Sequence, residues 1–398
     1  MGACLMWREK HKKLILAVIT ALHWFSLYSY SPYFTPYMEK LGAAATLIGF
    51  AVGAYGAAQM ILRIPLGITA DKIGRQKIFV TLGLLSSMLS TLIMRLFPFP
   101  AAMVVGKLLA GASAATWVVF PLLYSSYYKP EESTKAIGSI NAYNNGGKML
   151  SNLMAGLVVT RFGAPSSFTI AVIAAAIGLI LSFFVTDIDQ SKKREPAKLS
   201  ELVRVIGNKS LLYACISAAC LQFISFATVY GFTANIASDL GATSLELSFV
   251  TFAQSLASFA ASLLVGRLFV KWIGEKGCLT ISFVGLIVYC AVVPYAGYVW
   301  IIIAMQAIAG LANGILQTLN MSIAVRTVAP EKKSTAMGAY QALYGIGMTL
   351  GPVVMGRLVD WSGYRPSYLV MAGFAFLAAI YSVICYRFVS ESKHLPKK

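Results

Sequence analysis

Charge is scarce in this 398-residue chain: Asp, Glu, Lys and Arg make up 12% of it, against 58% apolar residues. Soluble domains carry about 25% charged and roughly 45–50% apolar residues. Too few polar groups remain to cover a water-facing surface, which excludes a cytosolic enzyme and a disordered chain alike. Acidic residues are scarcer still, 15 in all, and none falls deep within an apolar run. The six cysteines show no CxxC or other metal-ligand spacing, which argues against a disulfide scaffold and a metal centre. No cofactor motif is present, and no nucleophile–base pair that would support an enzyme. The longest polar stretch, 187–210, is too short for a soluble domain. The first apolar run lacks a small-residue cleavage site, so it reads as a span rather than a signal peptide.

Long apolar runs fill the chain instead. A helix needs about 20 mostly apolar residues to cross ~30 Å of hydrocarbon. Runs of that length fall at 14–38, 45–69, 77–97, 100–125, 135–160, 165–186, 211–237, 243–269, 277–298, 299–325, 334–358 and 365–388. They are too long for barrel strands, and no ten-residue alternating pattern appears. The expected fold is an all-α integral membrane protein with twelve transmembrane helices.

The net charge of +18 does not call for nucleic acid. With both termini inside, five Lys and Arg fall outside (Lys40, Arg95, Arg161, Arg357, Arg365) and three within spans (Arg63, Lys107, Lys148). The others lie in the N-terminus, the inner loops and the C-terminus. This asymmetry is the positive-inside rule, and it orients the chain with cytoplasmic termini, as in a prokaryotic inner membrane.

The second half of the chain echoes the first at an offset close to 200 residues. Ser133-Thr134-Lys135-Ala136-Ile137-Gly138 pairs with Ser334-Thr335-Ala336-Met337-Gly338, Gly111 with Gly310, Gly147 with Gly347, Gly156 with Gly356 and Gly163 with Gly363. Two parallel six-helix halves follow, 1–186 and 211–398, joined by the charged linker 187–210. Such halves can rock about a site near the midplane.

The loop Gly67-Ile68-Thr69-Ala70-Asp71-Lys72-Ile73-Gly74-Arg75-Gln76-Lys77 resembles the signature loop of the major facilitator superfamily. Gln76 stands where that signature is usually basic. Gly347-x3-Gly351-Pro352-x3-Gly356 is similar to the family's glycine–proline pattern in the eleventh span. The resemblance implies alternating access, a monomer, and a cytoplasmic latch of Gly67, Asp71, Gly74 and Arg75. Without it, the same residues read as a turn with a solvated ion pair. Arg63, toward the inner end of that helix, either snorkels or joins the cluster.

An ionisable group at bilayer depth costs ~2.5–3.5 kcal/mol on the lenient insertion scale. Lys107 lies about 10 Å below the outer end of the fourth span, and Lys148 at a similar depth in the fifth. With no buried acid to pair them, they call for a substrate anion, for proton handling by a neutral lysine, or for packing against backbone carbonyls and Asn. Polar stripes accompany them: Asn141, Asn144, Lys148 and Ser151 on the fifth span, and Gln306, Asn313, Gln317 and Asn320 on the tenth. Tyr30 on the first span and Gln222 on the seventh are further lining candidates. His23, near the midplane, is either a proton carrier or a packing residue.

The expected function is a secondary transporter of a small organic solute, an anion favoured, coupled to protons. A drug/proton antiporter is the rival within transport, and a non-transporting sensor or scaffold the rival from another class. The lipid bilayer is the surrounding partner, and nucleic acid is not one.

Overall fold

The computed structural model describes residues 2–129, 132–187, 207–326, 328, 333–387 and 389, with the backbone alone at 2–10, 71, 133, 134 and 333–335. All regular structure among them is helical. Hydrocarbon offers no hydrogen bonds, so each backbone N–H and C=O must find its partner within the segment.

The helices are α1 (Gly2–Tyr28), α2 (Ser31–Lys40), α3 (Ala45–Ile73), α4 (Gln76–Leu96), α5 (Pro100–Ala115), α6 (Phe120–Ser126), α7 (Ser133–Phe162) and α8 (Pro165–Ser182). In the second half they are α9 (Lys209–Ala227), α10 (Thr233–Asp239), α11 (Ser244–Leu264), α12 (Val270–Val292), α13 (Val299–Arg326), α14 (Lys333–Ser362) and α15 (Tyr364–Cys385). Pro32, which has no N–H to donate, opens α2 just after the break that separates it from α1. A 3₁₀ turn at Thr116–Val118 leads to α6, with Pro121 in its first turn.

Among the described residues, ten helical stretches are long and apolar enough to cross a membrane. One of them, Ser244–Tyr295, runs for 52 residues. At 1.5 Å per residue that is about 78 Å, more than twice the hydrocarbon thickness. It is broken at Gly274, whose φ of 70° and ψ of 167° no helix holds. The 30-residue α7 falls outside the ten, because Asn141, Asn144, Asn145, Lys148 and Asn152 lower its apolarity. It nonetheless packs along α1 and α11.

The internal repeat is written into the backbone. Positive φ occurs only at glycine among the described residues, at Gly42, Gly74, Gly163, Gly241, Gly274 and Gly363. These form three pairs about 200 residues apart, so the same turns recur in each half. The packing recurs as well. The α1–α7, α3–α5 and α4–α8 contacts of the first half return as α9–α14, α11–α13 and α12–α15. Gly111 lies against the Tyr55 carbonyl, and its mate Gly310 against that of Gln254. Gly147 and Gly347 meet the carbonyls of Ala21 and Ala219 in the same way.

Between the halves, α3 runs against α14 and α7 against α11. The α3–α14 seam is nearly bare backbone. A Cβ at Gly49 would stand 2.1 Å from the Pro352 carbonyl oxygen, one at Gly53 2.5 Å from that of Thr349, and one at Gly356 2.3 Å from that of Ala45. At the end of the bundle that carries the Gly42 and Gly363 turns, Asp360 caps α3 across the seam. Its two carboxylate oxygens accept from the Ala45 and Thr46 N–H groups at 2.9 and 2.8 Å. Tyr33 donates to the Ser244 carbonyl at 2.8 Å, and Asn235 to Glu39. The halves are thus clasped at the Gly42 end.

Gly49→Ala forces α3 and α14 apart, and should lower the melting temperature of the purified protein. Gly373→Ala, whose Cβ would enter open space on α15, should hold the temperature or raise it, by up to about 1 kcal/mol. Differential scanning fluorimetry compares the two directly.

Candidate functional site

The break between α1 and α2 leaves Trp24, Tyr28 and Tyr30 near the middle of the bundle, where α3, α5 and α7 approach them. Lys107 on α5 lies in a box of rings. Its Nζ is 4.2 Å from the centroid of Phe34, 4.9 Å from that of Tyr30 and 5.7 Å from that of Tyr55. Lys148 on α7 stands 4.1 Å over Trp24 and 4.9 Å over Tyr28. Each ring face offers a cation about 0.5–2 kcal/mol, so two or three of them offset much of the ~2.5–3.5 kcal/mol cost of placing it at this depth without supplying a counter-charge.

Arg63 is the third cation, and its position corrects the expectation that it snorkels or joins the latch. It is buried, at 9% exposure. Its guanidinium donates to the Tyr344 hydroxyl across the seam and to Gln59 Oε1 at 2.5 Å. It also lies within electrostatic range of Lys148 and Tyr55. Around the same centre, Tyr28 is in electrostatic range of Tyr30, Tyr55, Tyr230 and Tyr344. Tyr55 stacks on Phe226 of α9 with ring planes 15° apart, so both halves contribute to the wall.

No carboxylate among the described residues pairs with Arg63, Lys107 or Lys148. The described acids stand near the ends of the bundle: Glu39, Asp239, Glu246 and Asp360 toward the Gly42 turn, and Glu132, Asp187 and Glu275 toward the Gly74 turn. The described salt bridge, Arg326–Glu275 at 2.7 Å, is at the Gly74 end. Buried donors without partners surround the cations, namely Arg63 Nε, Gln59 Nε2 and Trp24 Nε1.

The second half supplies neutral polar groups. Gln222 donates to Gln317 at 3.1 Å, and Ser225 to Asn313 at 2.9 Å. Gln306 donates to the Val229 carbonyl at 3.3 Å, within a π-turn over Thr228–Phe232. That turn carries Tyr230, whose hydroxyl accepts from Gln254 at 2.8 Å. On α7, Asn144 is buried with Oδ1 unpartnered, whereas Asn141 is exposed and bonds to its own helix at Ile137. His23 is fully buried against Trp24 and Phe120, and neither ring nitrogen has a partner. Arg63, Lys107, Lys148, Gln59, His23 and Asn144 thus belong to the first half, and Gln222, Gln306, Gln317 and Asn313 to the second.

In the expected latch, Gly74 takes the left-handed C-cap of α3 and Arg75 is exposed. The side chain of Asp71 lies outside the described residues, as do residues 188–206 of the linker. Asp187, which the sequence places only in that linker, holds this loop. Its Oδ1 accepts from the N–H groups of Gln76 and Lys77 at 2.7 and 3.3 Å and caps α4.

Arg63, Gln59, Tyr55 and Tyr344 were not among the expected site residues. A signal was present, since Tyr55, Gln59 and Arg63 recur at i, i+4 and i+8 on one face of α3.

A polytopic helical bundle with two repeated halves and a polar, cationic centre between them is the architecture of a membrane transporter. The Major Facilitator Superfamily model matches residues 16–235 and 214–398, and the chain belongs to that superfamily. It is 24% identical over 376 residues to the inner membrane transport protein YajR of Escherichia coli, covering 93% of this chain and 81% of that one. It is 26% identical over 364 residues to the class H tetracycline resistance protein of Pasteurella multocida, covering 89% of each. The crystal structure of the nucleoside transporter NupG shares the fold, with a TM-score of 0.79 at 18% identity over 94% of this chain and 99% of that one.

Removing an uncompensated charge stabilises a site held ready for a ligand. Lys148→Met and Lys107→Met should each hold or raise the melting temperature of the ligand-free protein, as read by scanning fluorimetry.

Proposed function

We propose that this protein is a secondary active transporter that carries a small organic anion by alternating access. The observation that carries this reading is the set of three cations, Arg63, Lys107 and Lys148, at the centre of the bundle without a described carboxylate partner. A bound anion supplies the missing charge, and it is released when the halves rock. In this reading α11 and α12 are separate crossings and α7 is another, which makes twelve. Residues 1–186 and 211–398 are the moving bundles, and 187–210 joins them. The Gly74 end faces the cytoplasm with both termini, and the contacts at the Gly42 end close the outer side. The protein works as a monomer in the inner membrane and is no enzyme. The proton is the coupling ion, and buried His23, whose ring nitrogens have no partner, is its candidate carrier.

Drug/proton antiport is the second reading, favoured by the tetracycline resistance relative and by the aromatic wall of the cavity. A non-transporting sensor or scaffold would bind solute but show no counterflow.

Counterflow in proteoliposomes separates these readings. Radiolabelled benzoate should exchange against internal organic carboxylates, and Lys148→Gln should slow that exchange by about tenfold or more. Exchange of lipophilic cations with no response to carboxylates would turn the assignment to drug efflux.

A further inference from the structure

The cationic centre is divided into two subsites, and the division bears on the solute itself. The first subsite is a cluster of donors. Lys148 stands over the Trp24 ring, whose Nε1 is buried and unpartnered. Arg63 spends two guanidinium nitrogens on Tyr344 and Gln59 and keeps a buried, unpartnered Nε, while Gln59 keeps an unpartnered Nε2. Asn144 Oδ1 and Asn152 Oδ1, four residues before and after Lys148, are unpaired acceptors on that face. Such a surplus of N–H groups suits an oxyanion, which accepts several hydrogen bonds at once.

The second subsite is Lys107, enclosed by Tyr30, Phe34 and Tyr55. Tyr55 links the two, because its ring borders Lys107 and Arg63 lies two turns further along the same face of α3. Tyr55 is also stacked on Phe226, and Tyr28 borders Lys148, so flat rings flank both subsites. Lys107 itself meets rings, on a different helix from Lys148 and Arg63. A solute with a single carboxylate at the Lys148–Arg63 subsite leaves Lys107 without a counter-charge.

We infer that the solute is a flat dianion, an aromatic or conjugated acid with one anionic group held by Lys148, Arg63, Gln59 and Trp24 and the other by Lys107. This rests on the anion-transport reading and narrows it. The ring faces of Tyr28 and Tyr55 select for planarity, since offset stacking rewards a flat π-system over a puckered ring of equal size.

The test is equilibrium binding to the full-length protein in detergent, read by tryptophan fluorescence. Two flat diacids, terephthalate and naphthalene-2,6-dicarboxylate, are compared with their monoacids, benzoate and 2-naphthoate. The saturated trans-cyclohexane-1,4-dicarboxylate controls for shape. At least one flat diacid should bind about tenfold more tightly than its own monoacid and than the saturated diacid. In Lys107→Gln that preference for two charges should collapse, and Lys107→Arg should restore it, with the melting temperature of each variant confirming that it is folded. Equal binding of monoacid and diacid by the wild type overturns the inference and leaves anion transport standing. So does a preference that persists in Lys107→Gln, or a saturated diacid that binds as well as the flat one. Binding of lipophilic cations and of no carboxylate overturns the anion reading as well.

Discussion

At Gly49, Gly53 and Gly356 the seam between α3 and α14 has no space for side chains, because each helix presents glycine to the other's backbone carbonyls. Bilayer hydrocarbon gives apolar side chains little reason to leave lipid for one another, so helix association depends on close van der Waals approach. Glycine permits that approach, and the same device recurs inside each half, where Gly111, Gly147, Gly310 and Gly347 meet a neighbour's carbonyl. The position of the cationic centre follows from this packing. Gly111 brings α5 onto α3 at Tyr55, and so places the Tyr55 ring beside Lys107 four residues earlier on α5.

The two halves share a backbone plan but not a charge plan. Arg63, Lys107 and Lys148 all belong to the first half, while the second presents amides, hydroxyls and rings to the same space. Rings soften the cost of the cations without removing their charge, so the centre is stable enough to fold yet remains electrically incomplete. A hydrogen bond from Arg63 to Tyr344 joins one of these charges to the neutral half. Any separation of the halves at that level releases a guanidinium donor and a phenol together.

Much of this plan was legible in the sequence. Apolar runs gave the helices, and glycines at a constant offset gave the repeat, because both are local or periodic signals. Lys107 and Lys148 stood out as charges inside apolar runs. Arg63 was also placed within a span, but was read as snorkelling or joining the latch, although it is ten residues from the end of α3, or about 15 Å. Its sequence neighbours Asp71, Lys72 and Arg75 drew it toward the loop, while its true partner Tyr344 lies on a helix of the other half. The ring box around Lys107 was half visible, since Tyr30 and Phe34 share a face of the first span, but Tyr55 arrives from α3. Asp187 was assigned to a linker because nothing in the sequence ties it to the start of α4. Side chains whose partners lie on distant helices leave no periodic trace.

The clasp made by Asp360 is unlike the glycine seam beside it in one respect. Its partners are the main-chain N–H groups of Ala45 and Thr46, which every residue except proline carries. Evolution can therefore rewrite positions 45 and 46 freely without weakening the cap, whereas position 360 must keep its carboxylate. Drift would fall unevenly on the two sides of a single contact, and covariation between them would be absent. A search for co-varying pairs would pass over this junction, although it joins the two halves of the molecule.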